Sequence, residues 1–218
     1  PIGNLDDVTL RMLETLKAVD LIACEDTRQT AKLLRRHQIA TSTTSLHDHN
    51  ERQRTPSLLE QLKGGRSIAL VSDGGTPLIS DPGWRLVREA IRAGVPVTWV
   101  PGTTALIGGL VLSGQPTDRF VFEGFLPPKR TARRKRLEAL KGETRTVVAY
   151  ESPHRLLGAL RDIREVLGDV TVSCARELTK MYEEVQRGAV SELIDRFERR
   201  PPRGEFTVVF RAQQEGEG

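Results

Sequence analysis

Cysteine is scarce in this chain of 218 residues, which contains only Cys24 and Cys174. The two lie far apart, inside apolar runs, and match no spacing typical of a metal or redox site. This scarcity excludes a disulfide framework. We expect both cysteines to be small core residues of a cytoplasmic protein, and we predict no metal site.

Long hydrophobic runs are also missing. No apolar stretch approaches the roughly 20 residues that span a bilayer. The opening residues, PIGNLDDVTL, lack the basic and apolar regions of a signal peptide. Hydrophobic residues make up 38% of the chain and charged residues 28%, which is typical of a globular protein without a membrane segment.

Two common phosphate-binding motifs are absent from the glycine-rich loops. The segment Val71–Gly83, VSDGGTPLISDPG, follows an apolar run but has neither the Gly-Lys-Ser/Thr of a P-loop nor G-x-G-x-x-G. Its glycines would let a ligand approach bare backbone, and its prolines would stiffen the loop. Similar loops occur at Pro101–Ala105 and Pro1–Leu5. Because open α/β sheets bind ligands beyond the carboxyl ends of their strands, the three loops predict a ligand site at one sheet edge.

The first half of the chain alternates short apolar strands with segments of helical period. Strands are predicted at Leu21–Cys24, Ser67–Val71 and Val95–Val100, with Asp6 or Asp7 as the cap of the first helix. Such alternation predicts a mostly parallel sheet with helices on both faces.

The second half has more strands and fewer helices between them. The predicted strands are Phe120–Phe125, Thr146–Tyr150, Val170–Cys174, a stretch near Tyr182–Gln186, and Phe206–Phe210. This order favours a mixed sheet. With the turn-rich segment Ser113–Arg119 as a boundary, we predict two α/β domains, residues 1–115 and 116–218.

Seven motifs together resemble one subfamily of the tetrapyrrole-methylase-like methyltransferases, which methylates a cytidine 2′-hydroxyl in small-subunit (16S) ribosomal RNA. In chain order they are PIGNLD (Pro1–Asp6), EDTR (Glu25–Arg28), HDHNE (His47–Glu51), the loop Val71–Gly83, PGTTA (Pro101–Ala105), ESPHR (Glu151–Arg155) and ARELTK (Ala175–Lys180). The family usually has a short strand before the Pro-Ile-Gly loop, where the present sequence begins. The resemblance implies an S-adenosylmethionine-dependent enzyme of two α/β domains with the cofactor in the cleft between them, usually a homodimer.

The resemblance also implies which residues contact the cofactor. They are Pro1, Gly3, Asp73, Gly74, Gly75, Thr76, Pro77, Thr104 and Ala105 in the first half, and Leu126, Tyr150, Ala175, Gly204 and Glu205 in the second. For Leu126, Tyr150 and Ala175, simple core packing is the alternative interpretation.

Methyl transfer to a hydroxyl needs alignment at about 3 Å and a base that takes the hydroxyl proton. The catalytic candidates are Glu25, Asp26, Arg28 and Lys180, with the base itself unassigned. Arg28 would hold an RNA phosphate. The alternatives are that Asp26 or Thr27 caps the next helix while Arg28 pairs with a neighbouring acid, and that Lys180 forms a salt bridge with Glu177.

Basic residues outnumber acidic ones only slightly, 33 to 29, so net charge alone does not indicate a nucleic-acid partner. Their distribution is more informative, because six of the eight residues in Lys129–Arg136 (KRTARRKR) are cationic. The RNA-binding candidates are Lys129, Arg130, Arg133, Arg134 and Arg155. Further basic residues recur at Arg28, Arg35, Arg36, Arg52, Arg54, Arg176 and Arg199-Arg200. The alternative for the run is a solvated helix face. Aromatic residues make up only 5% of the chain, which predicts few base-stacking platforms.

Two rival functions stay open at this point. One is a methyltransferase acting on a porphyrin-like macrocycle or another small molecule, which would not need the basic run Lys129–Arg136. The other is a non-catalytic RNA- or nucleotide-binding protein, which would bind the cofactor without transferring a methyl group.

Overall fold

The computed structural model describes residues 1–213, and the chain divides into two compact units that begin at Pro1 and Ala105. The predicted α/β class is confirmed, with a parallel sheet in the first unit and a mixed sheet in the second. The predicted domain boundary after residue 115 stays a prediction, and residues 214–218 of the predicted second domain lie outside the described residues. None of the helices within residues 1–213 is long and apolar enough to cross a membrane.

The first unit contains a parallel sheet of three strands in the order β2-β1-β3. Its elements are α1 (Leu10–Ala18), β1 (Leu21–Cys24), α2 (Thr27–Arg36), β2 (Thr43–Ser45), α3 (Glu51–Lys63), β3 (Ile68–Val71) and α4 (Trp84–Arg92). The register pairs Cys24, the last residue of β1, with Ser45 of β2 and Val71 of β3. All three strands therefore end at one edge.

Alternate side chains of β1 pack into two separate apolar clusters, one on each face of the sheet. Ile22 and Cys24 pack with Leu16, Leu34 and Ile39. Ala23 packs on the other face, in a cluster completed by Leu46, Leu58 and Leu86. Full burial of each leucine or isoleucine contributes about 1.5–3 kcal/mol relative to an exposed side chain, so the central strand is fixed from both faces.

Two predictions for the first unit are wrong. Residues 95–100 form no strand, because no strand within residues 1–213 pairs with them, and Val97 and Trp99 are exposed. A strand needs a ladder partner for its backbone groups, however apolar its side chains are. The first helix is capped by Thr9, whose hydroxyl accepts from the Met12 N–H at 3.1 Å, and not by Asp6 or Asp7.

The second unit contains a mixed sheet of five strands in the order β4-β5-β8-β6-β7. Its elements are α5 (Ala105–Ser113), β4 (Phe120–Phe125), α6 (Arg130–Ala139), β5 (Thr146–Glu151), α7 (Pro153–Leu167), β6 (Thr171–Arg176), β7 (Glu184–Ala189), α8 (Val190–Arg199) and β8 (Phe206–Phe210). Strands β4 and β5 are parallel, and the other neighbours are antiparallel. Strand β7 is thus an edge strand.

Both faces of the second sheet are covered. Side chains of α6, α7 and α8 form the larger core with inward-facing residues of β5, β6 and β8. On the other face, Leu106 and Leu110 of α5 pack against Val148 and Val209. Gly109 permits this close approach, because a Cβ at that position would collide with the Thr207 side chain.

Candidate active site

The carboxyl edge of the first sheet brings together the loops that follow β1 and β3. Glu25 and Asp26 leave β1 beside Ser72 and Asp73, which leave β3. The Asp26 N–H donates to Asp73 Oδ1 at 3.0 Å, so the two loops are joined directly. The loops after β1 and β3 therefore meet at this edge of the sheet.

Asp26 and Arg28 form a local ion pair at the start of α2. Asp26 Oδ1 accepts from the Arg28 N–H at 2.8 Å, and its Oδ2 lies 2.7 Å from Arg28 Nη2. These contacts, the Arg28 side chain first, lower the pKa of Asp26 to about 2. The helix cap and the ion pair are therefore both present, and a carboxylate held this strongly as an anion is a weak base. The Arg28 side chain itself is 88% exposed.

Two other carboxyl groups near this edge are weaker acids than usual. Burial raises the pKa of Glu25, and the carboxylates of Asp73 and Asp48 add to the increase. Burial also raises the pKa of Asp81 to about 6, with the charges of Glu25 and Asp73 contributing. Loss of solvation combined with neighbouring like charges is the arrangement that tunes a carboxylate for accepting protons.

The loop between β3 and α4 is held in an uncommon backbone conformation. Leu78 and Ser80 have φ values of 74° and 63°, the left-handed region that side chains disfavour. At the far end of the loop, Glu51 Oε1 accepts from the Gly83 and Arg85 N–H groups at 3.1 and 2.7 Å. Glu51 of α3 thus supplies the N-terminal cap that Gly83 cannot provide for α4. Sequence analysis missed this role, because Glu51 lies 32 residues before Gly83 in the chain.

Hydrogen bonds join three of the predicted cofactor loops in the first unit. The Gly75 N–H donates to the Pro1 carbonyl at 3.2 Å, which brings two predicted cofactor loops together. The Thr76 hydroxyl donates to the Thr103 carbonyl at 3.4 Å and joins the third loop to them. The buried Thr103 hydroxyl has no hydrogen-bond partner within residues 1–213. Gly74 and Gly75 leave bare backbone where their loop meets Pro1 and Ile2.

Comparison with known proteins decides the family. The family model for tetrapyrrole (corrin/porphyrin) methylases matches residues 1–194. The chain belongs to the tetrapyrrole methylase family. The predicted resemblance is confirmed, and this family uses S-adenosylmethionine as its methyl donor.

Relatives and solved structures agree with this assignment. The chain is 49% identical to ribosomal RNA small subunit methyltransferase I of Thermotoga maritima over 98% of the chain and 96% of that protein. It is 52% identical to the protein of the same name from Synechocystis over 96% of the chain and 76% of that protein. The fold is similar to diphthine synthase (TM-score 0.74, 14% identity, 96% of this chain and 86% of that one). It is also similar to cobalt precorrin-4 methyltransferase (TM-score 0.69, 16% identity, 97% and 92%).

The cofactor residues predicted in the second unit of this methylase have structural contacts of their own. Leu126 and Ala175 are buried. The Tyr150 hydroxyl accepts from the Leu106 N–H at 3.0 Å, and the Ala105 carbonyl accepts from the Thr207 hydroxyl at 3.3 Å. The packing alternative is therefore present for these positions, and their cofactor role stays a prediction.

Lys180 lies in a compact turn that follows β6. Its Nζ lies 3.0 Å from Glu177 Oε1 and 3.2 Å from Glu205 Oε2. Burial alone would lower the pKa of Lys180, but the two glutamates outweigh it and the pKa is raised. The predicted alternative, a salt bridge with Glu177, is present. A lysine kept as a cation has no lone pair with which to accept a proton.

The predicted RNA-binding arginines are mostly engaged within the second unit. Arg133 is buried, with Nη2 2.6 Å from Asp162 Oδ2, and Arg130 Nη2 lies 2.9 Å from Glu165 Oε2. Arg134 pairs with Glu165 as well. Arg155 donates to the Leu126 carbonyl and to Glu151 Oε2. Lys129 precedes α6 as its cap residue. The RNA-binding role of all five stays a prediction.

Proposed function

We propose that this chain is an S-adenosylmethionine-dependent methyltransferase that modifies a cytidine 2′-hydroxyl in small-subunit ribosomal RNA. One observation carries the proposal: relatives 46–53% identical over 89–100% of the chain all bear the name ribosomal RNA small subunit methyltransferase I. The reaction also requires a proton acceptor, and the edge of the first sheet offers carboxyl groups of raised pKa.

When bound, S-adenosylmethionine supplies an electrophilic methyl group on a sulfonium centre, which departs as a neutral thioether. The protein's tasks are to align the ribose hydroxyl with that methyl group and to accept the hydroxyl proton. A base that accepts the proton contributes on the order of 10²–10⁴-fold to the rate.

Glu25 is the proposed base among the four catalytic candidates. Asp26 is held as an anion by Arg28, and Lys180 is held as a cation by Glu177 and Glu205. Arg28 stays protonated and suits a phosphate of the RNA, since its side chain extends into solvent. Glu25 keeps a raised pKa beside Asp73, which matches the requirement for a base.

The cofactor contacts belong to the same proposal. In the first unit they are Pro1, Gly3, residues 73–77 and Thr104, supported by the hydrogen bonds that join these loops. In the second unit the proposed contacts are Ala105, Leu126, Tyr150, Ala175, Gly204 and Glu205. A homodimer acting in the cytoplasm, where small ribosomal subunits are found, completes the proposal.

Methyl transfer from labelled S-adenosylmethionine to small ribosomal subunits, and separately to free small-subunit RNA, tests the proposal. We expect labelled 2′-O-methylcytidine after digestion to nucleosides. Transfer to another nucleoside would contradict the acceptor. Cofactor binding without transfer to either RNA would favour a small-molecule methyltransferase or a binding protein.

The role of Glu25 has its own test. Glu25→Gln keeps the shape of the side chain but removes the proton acceptor, so we expect the single-turnover rate to fall on the order of 10²–10⁴-fold. RNA affinity should stay unchanged. The matched control is Glu14→Gln, at an exposed position of α1. A Glu25→Gln enzyme that keeps more than a tenth of the rate would exclude Glu25 as the base.

A further inference from the structure

An arginine-rich groove of about 1210 Å³ runs along the edge of the second unit. It lies beside edge strand β7, the end of α8 and the segment that links α8 to β8. Two glutamates, Glu177 and Glu184, face six arginines: Arg176, Arg187, Arg196, Arg199, Arg200 and Arg203. The groove therefore carries a marked excess of positive charge.

Three of these arginines are not neutralised by the protein. Arg199, Arg200 and Arg203 are exposed, and within residues 1–213 their side chains form no ion pair or hydrogen bond. Arg196 approaches Glu192 only to 3.8 Å. Arg187 donates to the Leu112 carbonyl, which leaves its charge uncompensated. Unpaired guanidinium groups at one site attract an anion with several charges.

The shape of the segment suits a chain of phosphates. Pro201 and Pro202 stand between Arg200 and Arg203, and their fixed φ values limit the conformations of the backbone that carries these arginines. Arginine presents a planar fork of donors that binds phosphate oxygens in pairs. A backbone restricted in this way loses less conformational entropy when the segment binds a ligand.

The groove also holds features that match ribose and base. The Tyr182 ring, 67% exposed, lies at the groove and offers a stacking surface. The Gln186 amide donates from Nε2 to Glu184 Oε1 at 2.9 Å, while its buried Oε1 has no hydrogen-bond partner within residues 1–213. A buried acceptor without a donor costs stability unless a ligand supplies one. A ribose hydroxyl or a base amino group is such a donor.

We propose that this groove, which we call the 199–203 groove, binds the sugar-phosphate backbone of a single-stranded RNA segment. The inference rests on the proposed function, because the RNA would be a part of the methylated substrate away from the reacting ribose. It places the main RNA contact of the second unit on the end of α8 and the following segment, not on α6.

Equilibrium binding of a fluorescently labelled single-stranded RNA, measured by anisotropy at several salt concentrations, tests the groove. The test variant is the triple substitution Arg199→Gln, Arg200→Gln and Arg203→Gln in the full chain. We expect at least tenfold weaker binding at 0.1 M salt. The slope of log K against log salt should become shallower by about 2, since each single-strand phosphate contact contributes about 0.7.

A matched control removes the same charge elsewhere on the unit. Lys135→Gln, Lys141→Gln and Arg164→Gln lie at exposed positions outside the groove, and this triple variant should change affinity less than threefold. Replacing the three groove arginines by lysine should restore most of the salt slope. Equal affinities for the two glutamine variants, or no RNA binding by the unsubstituted protein, would overturn the proposal.

Failure of the groove and failure of the proposed function give different results. Suppose that the unsubstituted protein methylates ribosomal RNA and that the groove variant binds RNA with unchanged affinity and salt slope. The RNA-binding proposal for the groove is then wrong, and the proposed function stands. If the groove variant alone loses RNA binding while no methyl transfer occurs, the groove stands and the enzymatic proposal is wrong. Thermal unfolding of the groove variant should match that of the unsubstituted protein, which separates lost binding from lost folding.

Discussion

Helix α6 and the 199–203 groove are both rich in arginine, but their guanidinium groups have different surroundings. On α6, the side chains of Arg130, Arg133, Arg134 and Arg136 all lie within 2.5–3.1 Å of a carboxylate. In the groove, Arg199, Arg200 and Arg203 reach no carboxylate of residues 1–213. The denser run of positive charge in the sequence is therefore the less available one.

The difference shows what a run of basic residues leaves undetermined. The partners of α6 come from elsewhere in the chain: Asp162 and Glu165 lie one helical turn apart on α7, and Glu123 lies on β4. Their positions relative to α6 depend on how the elements pack, which local sequence does not specify. Available charge depends on the acids that face a segment, more than on the number of cations within it.

The largest difference in stability between variants of the α6 region and variants of the 199–203 groove is expected at Asp162. The Asp162 side chain is only 2% exposed. Asp162→Ala would leave the buried Arg133 guanidinium without its carboxylate partner. Removing one partner of a buried ion pair destabilises a protein by about 3–5 kcal/mol. The measurement is urea unfolding by circular dichroism, because both tryptophans, Trp84 and Trp99, lie in the first unit.

Two variants control the Asp162 result. The double variant Asp162→Leu with Arg133→Met should recover much of the loss, since an apolar pair often replaces a buried ion pair without cost. The groove triple variant should stay within about 0.5 kcal/mol of the unsubstituted protein. If Asp162→Ala lowered the free energy of unfolding by less than about 1 kcal/mol, the structural role assigned to the arginines of α6 would be contradicted.

A smaller loss of stability is expected at Arg136, a second arginine of α6 that pairs with a buried carboxylate. Its Nε lies 2.5 Å from Glu123 Oε2, and the Glu123 side chain is only 5% exposed. Arg136→Gln would leave that carboxylate poorly solvated and should cost about 1–3 kcal/mol, with RNA affinity changed less than threefold. Lys135→Gln, at the neighbouring exposed position, is the control and should stay within about 0.5 kcal/mol. If Arg136→Gln weakened RNA binding without changing stability, this arginine of α6 would be available to RNA, contrary to the comparison.

Much of the fold was predictable from periodicity and turn residues. The strands at residues 21–24, 68–71 and 206–210 follow directly from local pattern. Strand β2 was not predicted, because Thr43–Ser45 is short and polar and is a strand only through pairing with β1. The strand predicted at 95–100 was wrong for the converse reason: its residues are apolar, yet no strand of the described chain pairs with them. Pairing is a property of tertiary structure.

The site was predictable in location more than in roles. The parallel order alone placed Glu25 and the loop after β3 at one edge. Assigning roles needed the partners: Arg28 holds Asp26, two glutamates hold Lys180, and Glu51 caps α4. Each of these contacts sets a protonation state or a loop conformation, and none leaves a distinctive pattern in the sequence. Arg199 and Arg200 were visible as basic residues, but the groove exists only once β7 and α8 are in place.

The smallest predicted effect concerns Asp81, a half-buried charge that contrasts with the exposed, unpaired arginines of the groove. Burial raises its pKa to about 6, from 3.8 in an unfolded chain. The unfolded state therefore loses this proton first, and Asp81 lowers stability progressively as pH rises from about 4 to about 6. Asp81→Asn should raise Tm at pH 8, and the gain should vanish near pH 4. Asp26→Asn is the control, and it should lower Tm at pH 8. The pKa of Asp26 is lowered to about 2, so its carboxylate favours the folded state at that pH. A gain at Asp81→Asn that persists unchanged at pH 4 would show that packing, and not charge burial, limits stability at this position.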